Sequence, residues 1–573
     1  MLLVTCYWEH NSKIEFLNSE DMKTSNTLIF CLEICLFLML FTFQESSSQV
    51  RINGDWEGTF MNDFKAIVHF NASDRNQSEG DIKMFSGDNK IQDDQINKVK
   101  LSGYECSFFI PAKETTFTGN FNEQMTELSG EFIFPDGSRH PIQLTKMKLD
   151  QASVKEIKQI KDQYFTKEAL HADLEFLYQN LKNHHPQLYA YTSKGSMDMM
   201  VKELKAKIDT SYTVEQFYLL ATQLTDAVHC SHTGVKLPPA RQNSVSRHGN
   251  YFPLRLFFSN GKAFYVAGLS EGAASIRPGQ EIISINDMPI DQIITKLFYC
   301  IPAEAFNTTT KYHVLNKRFQ ELYYLLSDQK EFLVKFKSGG TVKSLTVPVS
   351  SLKDLYPDYP KSETKMVYKT DDSMDAGILK VPTFGIKNMD HYFYRLDSVF
   401  KDLEKRNTQN LVLDLRDNKG GHPIFAAQLF SYLTNKDFIY FKRNDEVEEF
   451  EPLYRTMKPN MLNFNGNLYV LVNGGCLSTT GHLISLLKFN TDAIFIGEEP
   501  GSTFRCTDFS IQSTLPLTSI ELNVPRTTFE TAVSGFSMNE LFPIDYRVNR
   551  TIDDIVYGKD VIYEKATEKI LQK

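Results

Sequence analysis

The stretch Asn467–Phe489, NLYVLVNGGCLSTTGHLISLLKF, decides how the rest of the chain is read. Leu468 to Val472 is a short apolar run, suited to a strand buried on both faces. Asn473-Gly474-Gly475 breaks it, since glycine takes the positive-φ conformations of a sharp turn. Ser478 and Thr479 then stand where a helix begins, and Leu483, Leu486 and Leu487 give that helix one apolar face. A hydroxyl at this junction lies above a sheet edge, beside the free N–H groups and positive dipole end of the helix. Acyl chemistry needs that pairing of a nucleophile with donors for an oxyanion. An isolated strand–turn–serine–helix more often holds a plain helix cap. Nor is this the Gly-x-Ser-x-Gly elbow of α/β-hydrolases, so the fold has to be argued from other stretches.

Upstream, Asn410–Leu433 (NLVLDLRDNKGGHPIFAAQLFSYL) repeats the logic: an apolar strand, a polar turn, Gly420-Gly421 and an amphipathic helix. A Gly-Gly pair opening a helix presents bare backbone N–H groups to an anion, although alone it reads as a tight turn. Together with Gly497-Glu498 in AIFIGEEPGS, the two stretches resemble the tail-specific (C-terminal-processing) serine peptidase family. The family pattern is Asp-Leu-Arg-x-Asn-x-Gly-Gly, a Ser at a helix start and then Gly-Glu; Asp414 to Gly421, Ser478 and Gly497-Glu498 follow it in order. The resemblance implies Ser478 as nucleophile, and an oxyanion hole from the N–H of Thr479 and of Gly420 or Gly421.

The family uses two kinds of base. One branch places a lysine after Gly-Glu, where this chain has Pro500-Gly501-Ser502-Thr503. The tricorn-core-like branch uses an upstream histidine in an Asp-x-His-Thr context. Asp226 to Gly234, DAVHCSHTG, supplies His232 before Thr233, with Cys230 where that aspartate stands. Imidazole titrates near neutrality and can take a serine proton. Ser231 matches a serine that positions this histidine in tricorn-like relatives. His229 is the nearby alternative, and His482 lies one helical turn after Ser478 as a pocket wall. The last member of the tetrad is a glutamate before a Pro-Asp-Tyr-like segment, here Phe542-Pro543-Ile544-Asp545-Tyr546. Met538 aligns with it, and Glu540, two residues on, is the substitute expected to complete the relay.

The chain has 573 residues, enough for three or four domains, and a net charge of −9 that argues against nucleic acid or an anionic membrane as main partner. No phosphate loop or zinc-type cluster stands out, so no cofactor or metal is expected. Residues 28–43 (LIFCLEICLFLMLFTF), with Lys23 before and Ser46-Ser47-Ser48 after, have the layout of a signal peptide. An exported protein is expected, periplasmic or extracellular, with no membrane anchor once the leader is removed. Cys106, Cys230, Cys300, Cys476 and Cys506 follow the leader. Cys230 and Cys476 flank the two catalytic candidates, as a disulfide pair or as two small apolar residues.

Five segments are expected: a leader over 1–48, a β-rich accessory domain over 49–150, and a helical segment carrying the base over 151–245. A PDZ-like domain over 246–351 and a crotonase-like peptidase core over 352–573 complete the chain. Short alternating strands with regular turns predict a small antiparallel barrel or sandwich for the second. Gly279-Gln280-Glu281-Ile282 and Ile285-Asn286 match the PDZ-like core, and βα alternation after Met366 predicts the last. The chain therefore reads as a multidomain α/β serine peptidase acting on polypeptides. Two alternatives share the scaffold: a non-catalytic binder, as in the interphotoreceptor retinoid-binding proteins, and an esterase.

Overall fold

The structure, a computed structural model, describes residues 54–60, 64–71, 78–86, 89–102, 104–122, 125–146, 164–239, 241–242, 250–268, 275–351, 365–443, 447–538 and 540–572. The leader expected over 1–48 lies outside them. Among the described residues no helix is long and apolar enough to cross a membrane. The chain divides into two compact units, Met1–Glu156 and Ile157–Lys573.

The first unit is a closed antiparallel barrel of eight strands in sequence order, the barrel rather than the sandwich of the two expected forms. They are β1 (Gly54–Phe60), β2 (Phe64–Asn71), β3 (Ser78–Ser86), β4 (Asn89–Ser102), β5 (Glu105–Ile110), β6 (Thr115–Phe121), β7 (Glu127–Ile133) and β8 (Arg139–Lys146). Alternation fills the interior with side chains: Trp56, Phe70, Phe108, Phe117 and Phe132 are buried, with Phe108 stacked on Phe117 at 4.7 Å.

The second unit starts with three helices, α1 (Lys167–His184), α2 (Lys194–Lys207) and α3 (Val214–Asp226). Leu170, Leu174, Leu177 and Leu181 form the buried stripe of α1, which Thr166 caps at Ala169 N. A short pair, β9 (Tyr164–Phe165) with β10 (Tyr212–Thr213), closes the bundle, and a Thr213/Gln216 capping box opens α3. Two long-range ties fix this bundle to the core. Buried Asp173 accepts Leu517 N at 3.0 Å and Thr518 N at 2.7 Å. The strand after α3, β11 (Gly234–Lys236), pairs with β25 (Glu521–Val524), itself paired with β24 (Ile511–Thr514).

Next comes a five-stranded sheet ordered β12 (Leu254–Ser259), β13 (Lys262–Gly268), β14 (Glu281–Ile285), β16 (Glu331–Ser338) and β17 (Thr341–Pro348), with β15 (Met288–Pro289) on β14. Helices α4 (Ile290–Phe298) and α5 (Thr308–Tyr324) complete its core.

The last sheet is ordered β18 (Val367–Asp371), β19 (Ala376–Lys380), β20 (Asn410–Asp414), β21 (Asn467–Val472), β22 (Ile494–Gly497) and β27 (Tyr546–Arg547). It is parallel from β19 onward. Three helices, α6 (Met389–Arg406), α7 (Pro423–Ser431) and α8 (Thr479–Asn490), pack on one face around Leu413, Val470 and Phe495. On the other face α10 (Val561–Leu571), preceded by α9 (Ile552–Val556), covers Val412, Tyr469 and Ile496. Both faces are covered, so every residue of β20 is buried and the strand is apolar but for its ends. A two-stranded ribbon, β23 (Arg505–Asp508) with β26 (Thr527–Glu530), leads off the end of β22.

Candidate active site

Ser478 stands between β21 and α8 with φ +54° and ψ −127°, a backbone state costing a non-glycine residue about 1–3 kcal/mol. The elbow strain is present although Cys476 and Thr480 stand where the Gly-x-Ser-x-Gly motif has its glycines. Ser478 makes no capping bond to its helix, so the plain-cap reading does not describe it. Its hydroxyl lies against the Cys506 thiol.

The Gly420-Gly421 turn meets the same point. A Cβ on Gly420 would fall 2.9 Å from both Ser478 Cβ and Thr479 N, and one on Gly421 would strike the Phe384 backbone. Both glycines have positive φ, so the turn needs glycine for conformation as well as for space. Gly420 N–H donates to Asn418 Oδ1 at 2.9 Å, while Phe384 N donates to Gly420 O and His422 N to Phe384 O. Thr479 Oγ1 donates to Gly421 O. The Thr479 and Gly421 N–H groups have no hydrogen-bond partner among the described residues. Gly420→Ala is expected to lower kcat/KM by roughly 10²-fold or more, because it displaces Ser478 and Thr479 by an ångström-scale clash. Steady-state kinetics beside a circular-dichroism check of folding reads this directly.

Helix α5 braces both turns. Thr310 Oγ1 donates to Gly474 O at 2.9 Å, and Asn307 Nδ2 to Pro500 O at 2.8 Å. His313 Nε2 and Lys317 Nζ reach Asp417 Oδ1 at 3.0 and 2.9 Å. Burial raises the Asp417 pKa, but the hydrogen bonds and charges of His313 and Lys317 outweigh it and hold the carboxyl far below the usual range. A depressed acid stabilises the fold above the unfolded-state pKa and loses that contribution as pH falls through the native one. Asp417→Asn is therefore expected to lower the urea midpoint at pH 7 and to converge on wild type in strong acid.

His232 arrives on the loop after α3, delivered by the β11–β25 pairing. Its backbone O accepts Asn523 Nδ2 at 2.6 Å. Ser231 Oγ lies 3.2 Å from His232 Nδ1 and donates to Glu304 Oε2 at 3.1 Å, and Ser231 N reaches the same oxygen at 3.3 Å. Glu304 stands on the connection between α4 and α5. Burial raises its pKa, opposed by the Ser231 bonds and by the charges of His232 and Arg505. His232 Nε2 faces Asp508 Oδ2 at 3.4 Å. No hydrogen bond joins His232 to Ser478.

The other sequence candidates are placed differently. Glu540 is exposed on a cleft of about 80 Å³ that Glu304, Tyr191, Phe306, Arg505 and Met538 also line, with no hydrogen bond to Ser231 or His232. Met538, at the aligned position, takes Arg505 Nη1 on its sulfur at 2.6 Å. His229 is spent on structure: Nδ1 on Ala305 O at 2.8 Å, and its ring against Phe306 at 4.6 Å. His482 is buried, its Nε2 is 3.2 Å from Cys506 Sγ, and burial pulls its pKa down to about 3. The five cysteines Cys106, Cys230, Cys300, Cys476 and Cys506 are free. Cys230 bonds Thr507 Oγ1 and Cys476 bonds Leu415 O, so each packs by itself. No group of three or more metal-ligating side chains occurs among the described residues.

Sequence reading missed Glu304, Cys506 and Asp508. Glu304 has no motif around it. Strand β23 alternates, so Cys506 and Asp508 face Ser478 and His232, whereas Arg505 and Thr507 face Met538 and Cys230.

A strained serine at a helix N-terminus, a glycine turn against it and a histidine on the same face of β23 are the parts that serine-hydrolase chemistry needs. Residues 375–530 match the model of Peptidase family S41. The match covers that segment alone, and it supports a serine-type peptidase. The structure is similar to that of mature CPAF complexed with lactacystin, at 13% identity and a TM-score of 0.51, covering 71% of this chain and 98% of that one. A second CPAF structure gives a TM-score of 0.53 at 13% identity, covering 71% and 97%. The photosystem II D1 C-terminal processing protease aligns over 66% of this chain and 93% of its own, at 15% identity and a TM-score of 0.35. At these identities the CPAF likeness shows the fold. No curated protein matches the chain.

Proposed function

We propose that the chain is an exported peptidase that cleaves polypeptides through a Ser478–His232 acyl-enzyme mechanism. The observation that carries the reading is the relay Glu304–Ser231–His232, at 3.1 and 3.2 Å, whose histidine meets β23 at Asp508 on the face where the strained Ser478 meets Cys506. Ser231 donates to the Glu304 carboxylate, so its oxygen can accept His232 Nδ1–H. That leaves the Nε2 lone pair to take the Ser478 proton. Ser478 attacks the scissile carbonyl, and the Thr479 N–H and the Gly420–Gly421 turn, with Gly421 N–H its open donor, hold the oxyanion. His232 returns the proton to the leaving amine, and water frees the acyl group.

The α/β core fits a crotonase-like domain, and the five-stranded sheet with α4 and α5 fits a PDZ-like module. The leader pattern over 28–43 supports a periplasmic or extracellular site of action. The test is cleavage of a mixture of unfolded polypeptides read by mass spectrometry, with kcat/KM on a peptide so found. Glu304→Gln is expected to lower kcat/KM by roughly 10²-fold or more, the scale of a lost proton-transfer aid, and Glu540→Gln to leave it nearly unchanged. The reverse order would return the carboxylate role to Glu540.

A further inference from the structure

The two nitrogens of His232 face opposed demands. The Glu304–Ser231 arm selects the Nδ1–H tautomer, whose Nε2 can accept a proton. Asp508 Oδ2 at 3.4 Å from Nε2 selects the other tautomer, or the imidazolium that donates to both Ser231 Oγ and Asp508. Neither of those can act as a base toward Ser478. Asp508 is otherwise weakly held. Its Oδ1 takes only a 3.5 Å contact from Ser510 Oγ, and its side chain is 43% exposed.

The surroundings say what would draw that carboxylate away. Among the described residues no lysine or arginine pairs with Asp508. Arg526 spends its Nε on Phe509 O, and Arg505 leaves the opposite face of the strand toward Met538. Glu304 and Glu540 line the cleft on the Arg505 side of the strand, where Glu499 is already paired with Arg547 at 3.0 Å. A cationic group on the substrate would find in Asp508 an accessible, underused acceptor. In taking it, the substrate would release His232 Nε2 toward Ser478.

The geometry points to Asp508 as a specificity-determining residue that restrains His232 until a basic side chain next to the scissile bond engages it. Recognition and activation are then one event at one carboxylate. This rests on the peptidase reading above.

The experiment takes a peptide that the wild-type protein cleaves and remakes it with Lys, Gln or Glu at each position flanking the cut. Wild type and Asp508→Asn are compared for kcat and KM, with Asp508→Ala as a second variant. Fluorophosphonate labelling of Ser478 is followed in all three. Wild type should favour the Lys peptide over the Gln peptide by about fivefold in kcat/KM, the size of an exposed ion pair. Both variants should lose that preference and turn over the Gln peptide faster than wild type does, mainly in kcat. Labelling of Ser478 should quicken in the same two variants. Labelled, active proteins that all share one order of preference would overturn the role of Asp508 alone. So would variants slower than wild type on every peptide. A wild-type protein that neither labels nor cleaves would overturn the peptidase reading with it.

Discussion

Ser478→Ala is expected to remove peptide cleavage by on the order of 10⁶-fold in kcat, leaving the fold intact. The hydroxyl touches the Cys506 thiol and caps nothing, so its loss leaves no buried donor or acceptor stranded. Alanine takes the same strained φ at a cost equal to that of serine, so stability changes little. What disappears is the atom that attacks. The Thr479 and Gly421 N–H groups stay in place, so substrate binding, read as KM or as inhibition by a peptide product, should persist. A variant with unchanged thermal midpoint, unchanged binding and no turnover is the expected combination, measured by calorimetry and steady-state kinetics.

His232→Ala is the second large effect, and on this mechanism it costs nearly as much as loss of the nucleophile. A serine hydroxyl beside a helix N-terminus remains a poor nucleophile without a base, since the dipole contributes about 1 kcal/mol or less. No neighbour can replace the imidazole. His482 stands one turn from Ser478, but burial drives its pKa down to about 3 and its Nε2 is taken by Cys506. His229 is locked on Ala305 and Phe306. Because the two residues act as one unit, the double variant Ser478→Ala, His232→Ala should be hardly slower than either single one. Additive losses would mean that they work in separate steps. Because His232 is half-buried and bonded through its backbone O to Asn523, a modest loss of stability is expected as well, and kinetics well below the unfolding temperature separates the two.

Part of this was legible in the sequence, and the division follows the range of the interactions. The strand–turn–helix around Ser478 and the glycine turn at Gly420-Gly421 are local events, written in apolar periodicity and in glycine placement. The barrel strands were visible for the same reason, but closure is a property of the β1–β8 pairing and no single strand encodes it. His232 stands out in its Ser-His-Thr context, whereas its arrival at Asp508 depends on β11 pairing with β25 nearly three hundred positions later. The resemblance points to a carboxylate near Phe542, whereas the one that Ser231 meets is Glu304. Glu304 sits on a helix–helix connection that His229 ties down at Ala305 and Pro500 at Asn307, a purely tertiary placement. The strain at Ser478 is equally hidden, because no glycine-flanked motif marks it.

The most direct measurement of the central claim is the trapped acyl-like adduct. Wild-type protein is treated with a fluorophosphonate, digested, and the modified residue located by tandem mass spectrometry, with His232→Ala treated alongside. One adduct on Ser478, formed far more slowly in His232→Ala, is the predicted result. An adduct on another residue, or equal labelling with and without His232, would contradict it.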